Sequence, residues 1–286
     1  MKTQTFTAVK GELLSKFIPN NLHGAGFAFV RTLLKNKDIK VNGARVSADV
    51  MLSAGDTVQI FYPDDAIKEY KPYKIIFEDK NILVVHKNQG IETTSAVNKN
   101  TLENLLSANF KKNLIAVHRL DVNTEGLVIF AKNETARTEL ENAFKEDFVE
   151  KTYNALCFGT LNKSPLTLTG YLKKDSGAGE VVIAKEQSPG FLPIKTTVEF
   201  VRNLKDFGLY KITPRTGRTH QIRAHLASIG LYIVGDGKYG DAKLNKAYGE
   251  TKQALCATEI KFKFPPASPL AYLNKEIFKT VPSFLK

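Results

Sequence analysis

The sequence is poor in the side chains that build disulfide frameworks and metal centres. Its 286 residues include only two cysteines, Cys157 and Cys256, and no Cys-x-x-Cys pair. His220 and His225 lie five positions apart rather than four, so they do not share a helix face as the ligands of a zinc-binding His-Glu-x-x-His motif would. We therefore expect reduced thiols, no metal and no cofactor.

Long apolar runs are also missing. No stretch approaches the roughly 18 continuous apolar residues of a membrane span, and residues 1–10 contain no apolar secretion signal. No internal repeat or low-complexity tract is present. We expect a protein that has no membrane association and stays in the cytoplasm, with a monomer as the default state.

Positive charge is the clearest excess in the composition. Lys and Arg number 41 against 29 Asp and Glu, which gives a formal net charge of +12 at pH 7 and a sequence pI near 9.5. A polyanionic partner would account for this excess, and so would a merely soluble basic surface. With 43% apolar residues the chain can bury a core, and its length predicts about two domains.

Composition divides the chain into three segments. Residues 1–62 contain two helical patterns and a hairpin pattern with Asn42-Gly43 at its turn. Residues 63–72 are charged, bounded by proline and aperiodic, which is typical of a linker. Residues 73–286 alternate short β-rich runs with helical patterns, which predicts an α+β domain with a mixed, mostly antiparallel sheet.

One segment places a carboxylate between basic groups and an apolar strand. It reads Ala116-Val-His-Arg-Leu-Asp-Val-Asn-Thr-Glu-Gly-Leu-Val-Ile-Phe-Ala-Lys132. Asp121 lies at the predicted junction of loop and strand, where a rigid element can hold a reactive group. A turn in which Asp121 pairs with Arg119 would give the same pattern, because structural ion pairs outnumber catalytic ones. Asp121 is the leading catalytic candidate.

A second segment concentrates arginine and histidine around a helix start. It reads Pro214-Arg-Thr-Gly-Arg-Thr-His-Gln-Ile-Arg-Ala-His-Leu226, and Thr219 can cap a helix over residues 220–228. His220 and Arg223 would share one face of that helix. On the residues alone, the three arginines of the segment are generic phosphate binders: Arg215, Arg218 and Arg223.

The two segments together resemble the signature of the RluA-type pseudouridine synthases. The resemblance rests on His118-Arg119-Leu120-Asp121 with the residues that follow it, and on the second segment with Gly235-Asp-Gly-Lys-Tyr-Gly240 after it. It covers about residues 75–265. The sequence departs from the family pattern at three places: Glu125 stands where a Ser is usual, Asn88 where a Pro is common, and Cys256 where a His is usual.

This resemblance implies the pseudouridine synthase fold and a cofactor-free isomerisation of uridines in structured RNA, either ribosomal or transfer RNA. It implies that Asp121 is the catalytic carboxylate, that Arg223 contacts it, and that Tyr153 stacks on the target uracil. Without the resemblance, a strand tyrosine such as Tyr153 is usually a core residue. It also implies that Arg119 fills the stack that the base leaves, and we expect His118, Arg218 and His220 to bind RNA.

The order of helices and hairpin before residue 63 resembles an S4 RNA-binding domain. The basic residues of this segment would lie on the helix and hairpin surfaces, spaced to meet phosphates: Arg31, Lys35, Lys37, Lys40 and Arg45. The opening Gly11-Glu-Leu-Leu departs from the Arg-Leu-Asp that is usual there. A helical cap that covers the larger domain would show the same pattern.

Two other functions fit parts of the sequence. A non-catalytic RNA-binding or ribosome-assembly factor would use the same charge, with Asp121 as a mere ion-pair partner. A carboxylate-based hydrolase of nucleosides or glycosides would need a second acid as proton donor, and no such pair is apparent beside Asp121.

Overall fold

The computed structural model describes residues 1–22, 25, 27–64, 72–161, 163–175, 177 and 179–286. The chain divides into two compact units, Met1–Lys71 and Pro72–Lys286. Of the linker predicted over residues 63–72, positions 65–71 lie outside the described residues.

The first unit is a small α+β module with its own apolar core. Its elements are β1 (Lys2–Thr7), β2 (Glu12–Leu13), α1 (Leu14–Asn21), α2 (Phe27–Asn36), β3 (Ile39–Val41), β4 (Ala44–Val46), β5 (Met51–Leu52) and β6 (Thr57–Tyr62). Four strands pair in the order β1-β6-β3-β4, and β2 pairs with β5. Leu14, Phe17 and Ile18 of α1 pack with Ile39 and Ile60 of the sheet.

The hairpin predicted at Asn42-Gly43 is confirmed. β3 and β4 pair antiparallel, and the two turn residues have φ values of 50° and 82°. Such a turn needs two residues in the left-handed region, which Asn tolerates and Gly enters freely. The Asn42 side chain also accepts a hydrogen bond from Thr57 N–H at 2.9 Å, which ties the turn to β6.

The second unit is built on one large sheet. Its elements are β7 (Tyr73–Glu78), β8 (Ile82–Lys87), α3 (Leu102–Phe110), β9 (Ile115–Ala116), β10 (Glu125–Ala131), α4 (Glu134–Lys145), β11 (Val149–Phe158), β12 (Leu166–Asp175), β13 (Glu180–Ala184), β14 (Leu192–Leu204), β15 (Phe207–Pro214), α5 (Gln221–Ala227), β16 (Tyr232–Ile233), α6 (Ala242–Tyr248), β17 (Leu255–Phe262) and β18 (Ile277–Lys279), with 3-10 turns at Ala271–Lys275 and Ser283–Leu285.

Nine strands form the main path of this sheet, in the order β13-β12-β14-β15-β11-β17-β10-β8-β7. Strands β9, β16 and β18 pair at its sides. β10 and β17 run parallel, whereas the other pairs are antiparallel. The predicted α+β class with a mixed, mostly antiparallel sheet is therefore confirmed.

Strand β10 forms the centre of the unit because both of its faces are buried. Val128 and Phe130 pack in one apolar cluster, which includes Leu102 of α3. Leu127 and Ile129 pack in a second cluster with α4. A strand buried on both faces is continuously apolar rather than alternating, which is the pattern of residues 127–131.

The apolar spacing of residues 134–148 predicts one helix over this range, whereas in the structure the helix, α4, ends at Lys145. Asn133 caps its start by accepting a hydrogen bond from Ala136 N–H at 2.8 Å. Asp147, with a φ of 57°, turns the chain so that β11 can begin at Val149. The apolar Phe148 continues the helical pattern in the sequence, but it belongs to this turn.

Gly126 allows β10 and β17 to approach closely. Its φ is 120°, which L side chains rarely adopt, and a Cβ placed there would lie 2.3 Å from the carbonyl oxygen of Ala257. The neighbouring atoms are backbone and cannot move aside. Since Gly126 follows Glu125 at the start of β10, this contact fixes the end of the loop that carries Asp121.

We expect Gly126→Ala to lower the free energy of unfolding by about 3 kcal/mol or more, because it combines backbone strain with a clash against backbone. Gly237→Ala is the matched control, since a Cβ at Gly237 would meet no atom within 4 Å. Urea denaturation of both variants measures the difference. Equal midpoints for the two variants would show that β10 and β17 separate without cost.

Candidate active site

The two sequence segments meet at one cavity of about 570 Å³ in the second unit. One wall is the loop before β10, which carries Arg119 and Asp121. The loop between β15 and α5 and the first turn of α5 form the opposite side. β11 contributes alternate residues to a further part of the wall: Val149, Lys151 and Tyr153.

Arg223 lies between two carboxylates. Its Nη1 donates to Asp121 Oδ2 at 2.8 Å, while Nε and Nη2 donate to the two oxygens of Asp236 at 2.7 and 2.8 Å. Arg223 is 7% exposed and Asp236 is 1% exposed. A two-pronged pair of this kind fixes both distance and plane, so Asp236 orients the guanidinium that holds Asp121.

Arg223 and Asp236 each stabilise the ionised form of the other. Burial by itself lowers the pKa of Arg223, but its hydrogen bonds and ion pairs with Asp236 and Asp121 raise the value overall. Burial would raise the pKa of Asp236, yet Arg223 and two backbone N–H donors hold it below its usual range. Both groups therefore stay ionised at neutral pH.

The Asp121 carboxylate is bound at one oxygen. Arg223 donates to Oδ2, and His220 Nε2 lies 3.8 Å from the same atom. Within the described part of the chain, nothing donates to Oδ1. Asp121 thus presents a second oxygen to which no described residue donates a hydrogen bond.

A closed circuit of hydrogen bonds links these groups, and we call it the Arg223 circuit: Asp121, Arg223, Asp236, Gln253 and Thr124. Gln253 Nε2 donates to Asp236 Oδ2 at 3.1 Å. Thr124 Oγ1 donates to Gln253 Oε1 at 2.7 Å, and Thr124 N–H donates to the Asp121 carbonyl at 3.1 Å. The circuit joins the segment that leads into β17 to the loop that carries Asp121.

The backbone on both sides of Asp121 is anchored separately. Thr93 Oγ1 exchanges hydrogen bonds with the N–H and carbonyl of Leu120, both at 3.1 Å. On the other side, Lys87 Nζ donates to the Val122 carbonyl at 3.1 Å and to two further carbonyls. Burial lowers the pKa of Lys87 to about 7, against the opposing charges of Asp121 and Glu125. The loop is therefore rigid at the carboxylate.

Tyr153 and His220 both face Asp121. Tyr153 is 9% exposed and lines the cavity, and burial followed by the Asp121 charge raises the pKa of its hydroxyl. His220 Nδ1 lies 2.9 Å from the Tyr239 hydroxyl. Burial lowers the pKa of His220, with Asp121 opposing, so the ring is mostly neutral at pH 7.

The expectation that Thr219 caps a helix over residues 220–228 is wrong. The helix is α5, Gln221–Ala227, and the cap position is His220 with a φ of 52° and no side-chain cap bond. Gln221 Oε1 instead accepts from Arg218 N–H at 3.1 Å and from the Thr216 hydroxyl at 2.7 Å. The left-handed turn at His220 brings its ring towards Asp121.

The other predicted RNA-binding residues of this unit differ in their placement. Arg119 and Arg218 are exposed at the cavity. His118 lies in the wall, where Nε2 accepts from Ile129 N–H at 3.1 Å and the ring packs 4.8 Å from Phe144. Burial and then the Lys151 charge lower the pKa of His118 to about 3, so it carries no charge for a phosphate at pH 7.

The predicted basic residues of the first unit lie on one helix and one hairpin. Arg31 and Lys35 are exposed on α2, four positions apart. Lys40 and Arg45 face each other across β3 and β4, 5.6 and 5.5 Å from the ring centroid of Phe61. Arg45 also donates to the Lys37 carbonyl.

Two departures from the family pattern are neighbours. Glu125 and Cys256 face each other where β10 pairs with β17. Glu125 accepts from Ser283 N–H at 2.7 Å, and His86 Nε2 lies 3.7 Å from its other oxygen. These groups hold the segment around Ser283 and do not contact the Asp121 carboxylate.

Sequence reasoning missed Asp236, Gln253 and Lys87. Asp236 stands inside the glycine-rich run of residues 235–240, where an acid between two glycines is the available signal. Gln253 and Lys87 have no local pattern that marks them. Across the described residues, no three His, Cys, Asp or Glu side chains are grouped as metal ligands. In that same part of the chain, no helix is both long and apolar enough to cross a bilayer.

Comparison with known proteins agrees with this geometry. The family model described as RNA pseudouridylate synthase matches residues 81–228. The chain is 30% identical over 236 residues to ribosomal large subunit pseudouridine synthase C of Rickettsia felis, covering 75% of this chain and 77% of that protein. It is 28% identical over 275 residues to the protein of the same name from Vibrio cholerae, covering 89% and 86%.

A solved structure shows the same fold. Human RNA Pseudouridylate Synthase Domain Containing 1 superposes with a TM-score of 0.59 at 26% identity, covering 73% of this chain and 82% of that one. The family model spans more than half of the chain, and the matched residues include the Asp121 loop, Tyr153 and Arg223. The chain therefore belongs to the RNA pseudouridylate synthase family and is an RNA pseudouridine synthase, an isomerase that acts on RNA.

Proposed function

We propose that this enzyme isomerises uridine in ribosomal RNA and that Asp121 is its catalytic carboxylate. The observation that carries the proposal is the placement of Asp121 in the cavity, with one oxygen held by Arg223 and the other not engaged by any described residue. The names of the relatives from Rickettsia felis and Vibrio cholerae support ribosomal RNA as the substrate. Transfer RNA is the second substrate class to test.

The reaction breaks the N1–C1′ bond of uridine, turns the base and forms a C5–C1′ bond, after which C5 loses its proton and N1 gains one. It needs neither redox change nor energy input. One ionised carboxylate can act as a nucleophile on the base or on C1′, or as the base that generates a glycal. Each of these routes is compatible with a fixed carboxylate that has one oxygen available.

The target base must leave the RNA stack to reach Asp121, at a cost of a few kcal/mol. Tyr153 lies in the cavity wall, and its ring offers a face on which the uracil can stack, worth about 1–3 kcal/mol. Arg119 is exposed beside Asp121. Its planar guanidinium can fill the gap that the extruded base leaves in the RNA stack. Arg218 and His220 then border the entering nucleotide.

We expect Asp121→Asn to reduce isomerisation by about 10³-fold or more, because the amide is neither a nucleophile nor a base. RNA affinity should stay close to that of the unaltered enzyme, since Asn keeps the shape of the side chain. A pseudouridine map of ribosomal and transfer RNA, from cells with the wild type, no protein or the variant, measures the change and identifies the substrate.

The matched control is Asp206→Asn, an exposed aspartate in the turn between β14 and β15. It should leave the map unchanged. Full modification by Asp121→Asn would remove Asp121 from the mechanism, and loss of sites only in transfer RNA would replace the proposed substrate.

Asp236 acts as a positioning residue in this proposal. We expect Asp236→Asn to lower kcat by about 100-fold with little change in KM, because the guanidinium loses its fixed plane and Asp121 shifts. Tritium release from labelled uridine in a ribosomal RNA transcript, followed over a range of transcript concentrations, measures kcat and KM separately.

The control for that variant is Asp241→Asn, which removes a carboxylate five positions away that caps α6. A loss of kcat in Asp241→Asn as large as in Asp236→Asn would indicate general disturbance of this region. An unchanged kcat in Asp236→Asn would show that Arg223 does not need its second partner.

The first unit, in this proposal, is an S4-like RNA-binding domain over residues 1–62, followed by a linker over 63–72 and the catalytic domain over 73–286. Support comes from the hairpin and from Lys40 and Arg45, which share the Phe61 ring. A base can stack on such an aromatic platform while the cations meet phosphates.

The protein would work in the cytoplasm as a monomer.

We expect the fourfold variant Arg31→Gln, Lys35→Gln, Lys40→Gln, Arg45→Gln to bind ribosomal RNA more weakly. The slope of log affinity against log salt should fall by about 0.7–0.9 for each phosphate that the variant no longer neutralises, while kcat at saturating RNA stays the same. Lys2→Gln with Lys10→Gln is the control for general charge. An affinity and slope equal to those of the control would refute the S4 assignment.

A further inference from the structure

Lys151 places a cation in the cavity wall. It lies on β11 two residues before Tyr153, and alternation along the strand turns both side chains into the cavity. Among the described residues, none accepts a hydrogen bond from its ammonium or forms an ion pair with it. The ring of Phe144 lies close to the ammonium, with Nζ 5.3 Å from the centroid.

The nearby acid is already engaged elsewhere. Asp147 Oδ2 lies 3.9 Å from Arg215 Nη1, and its charge opposes only in part the desolvation that lowers the pKa of Lys151. Lys151 is only partly exposed, and a cation that loses hydration without gaining a partner costs free energy, which contact with an aromatic ring offsets in part. The fold therefore bears a cost that an anionic ligand would remove.

The charges around this wall favour an anion. Arg215 and Arg218 lie on the loop that faces Lys151 across the cavity edge, and Lys145 lines the same side. Arg223, Asp121 and Asp236 together carry a net charge of −1, because two carboxylates pair with one guanidinium, and the cations at this wall outweigh that charge. His118 beside Lys151 is neutral, because its pKa is lowered to about 3.

We propose that Lys151 binds a backbone phosphate of the nucleotide held in the cavity, with Arg215 and Arg218 along the path of the flanking phosphates. This inference rests on the proposed function, in which a uridine enters the cavity. A lysine ammonium is a compact point charge that suits a phosphate oxygen. Because Lys151 and Tyr153 lie on one face of β11, the same strand would hold the phosphate and the base of one nucleotide.

The test uses Lys151→Met, which keeps nearly the length of the side chain and removes its charge. The affinity of the full chain for a large-subunit ribosomal RNA transcript is measured over a series of salt concentrations, together with thermal unfolding without RNA. Lys275→Met, at an exposed position of the second unit, is the control for the removal of one charge. Pseudouridine formation in the transcript is recorded separately.

We expect Lys151→Met to weaken RNA binding by about tenfold and to reduce the salt slope by about 0.7–0.9. The unfolding temperature should stay the same or rise, because a desolvated charge is removed. A structural lysine would behave in the opposite way, losing stability together with affinity, and that result would overturn the proposal.

An affinity and slope equal to those of Lys275→Met would also overturn it.

Pseudouridine formation tests the proposed substrate rather than the role of Lys151. If the wild type binds the transcript but forms no pseudouridine, the proposed substrate fails, while the affinity and slope of Lys151→Met still decide the role of the lysine.

Discussion

The arrangement of the site depends on the ion pairs that the Arg223 guanidinium forms with two carboxylates. The guanidinium joins Asp121 and Asp236, which lie on separate loops, to a helix that is about one hundred residues from Asp121 in the chain. Asp236 is buried, and its pairing with Arg223 opposes the desolvation that would raise the pKa of this carboxyl group. Gln253 and Thr124 close the circuit, so a shift of one member must disturb the others.

The sheet brings together the chain segments that this contact joins. The Asp121 loop enters β10 beside Gly126, where β17 approaches too closely for any side chain. β17 begins just after Gln253, so the same close approach places the Gln253 side-chain amide within hydrogen-bond distance of Asp236. Apolar packing on both faces makes β10 rigid. The Arg223 circuit holds the Asp121 carboxylate in a fixed position beside this strand.

The fold class, the central strand and the Asn42-Gly43 turn could be predicted because local pattern decides them. No clear apolar pattern in the sequence marks β12 and β13, since they lie towards the edge of the sheet and β12 buries few of its residues. The start of α5 was misjudged because the left-handed backbone at His220 depends on loop contacts of Gln221. Partners such as Gln253 are distant in sequence, so no local pattern could reveal them.

A carboxylate in water is symmetric, and its two oxygens exchange places with every half-turn of the side chain. The contact of Asp121 with Arg223 removes this equivalence, because Arg223 donates to Oδ2, while Oδ1 has no donor among the described residues. The fold thus distinguishes the two oxygens of Asp121, which would otherwise be interchangeable. A side chain with one more methylene would carry the same charge but place that oxygen elsewhere, which makes aspartate at this position a matter of reach as well as of acidity.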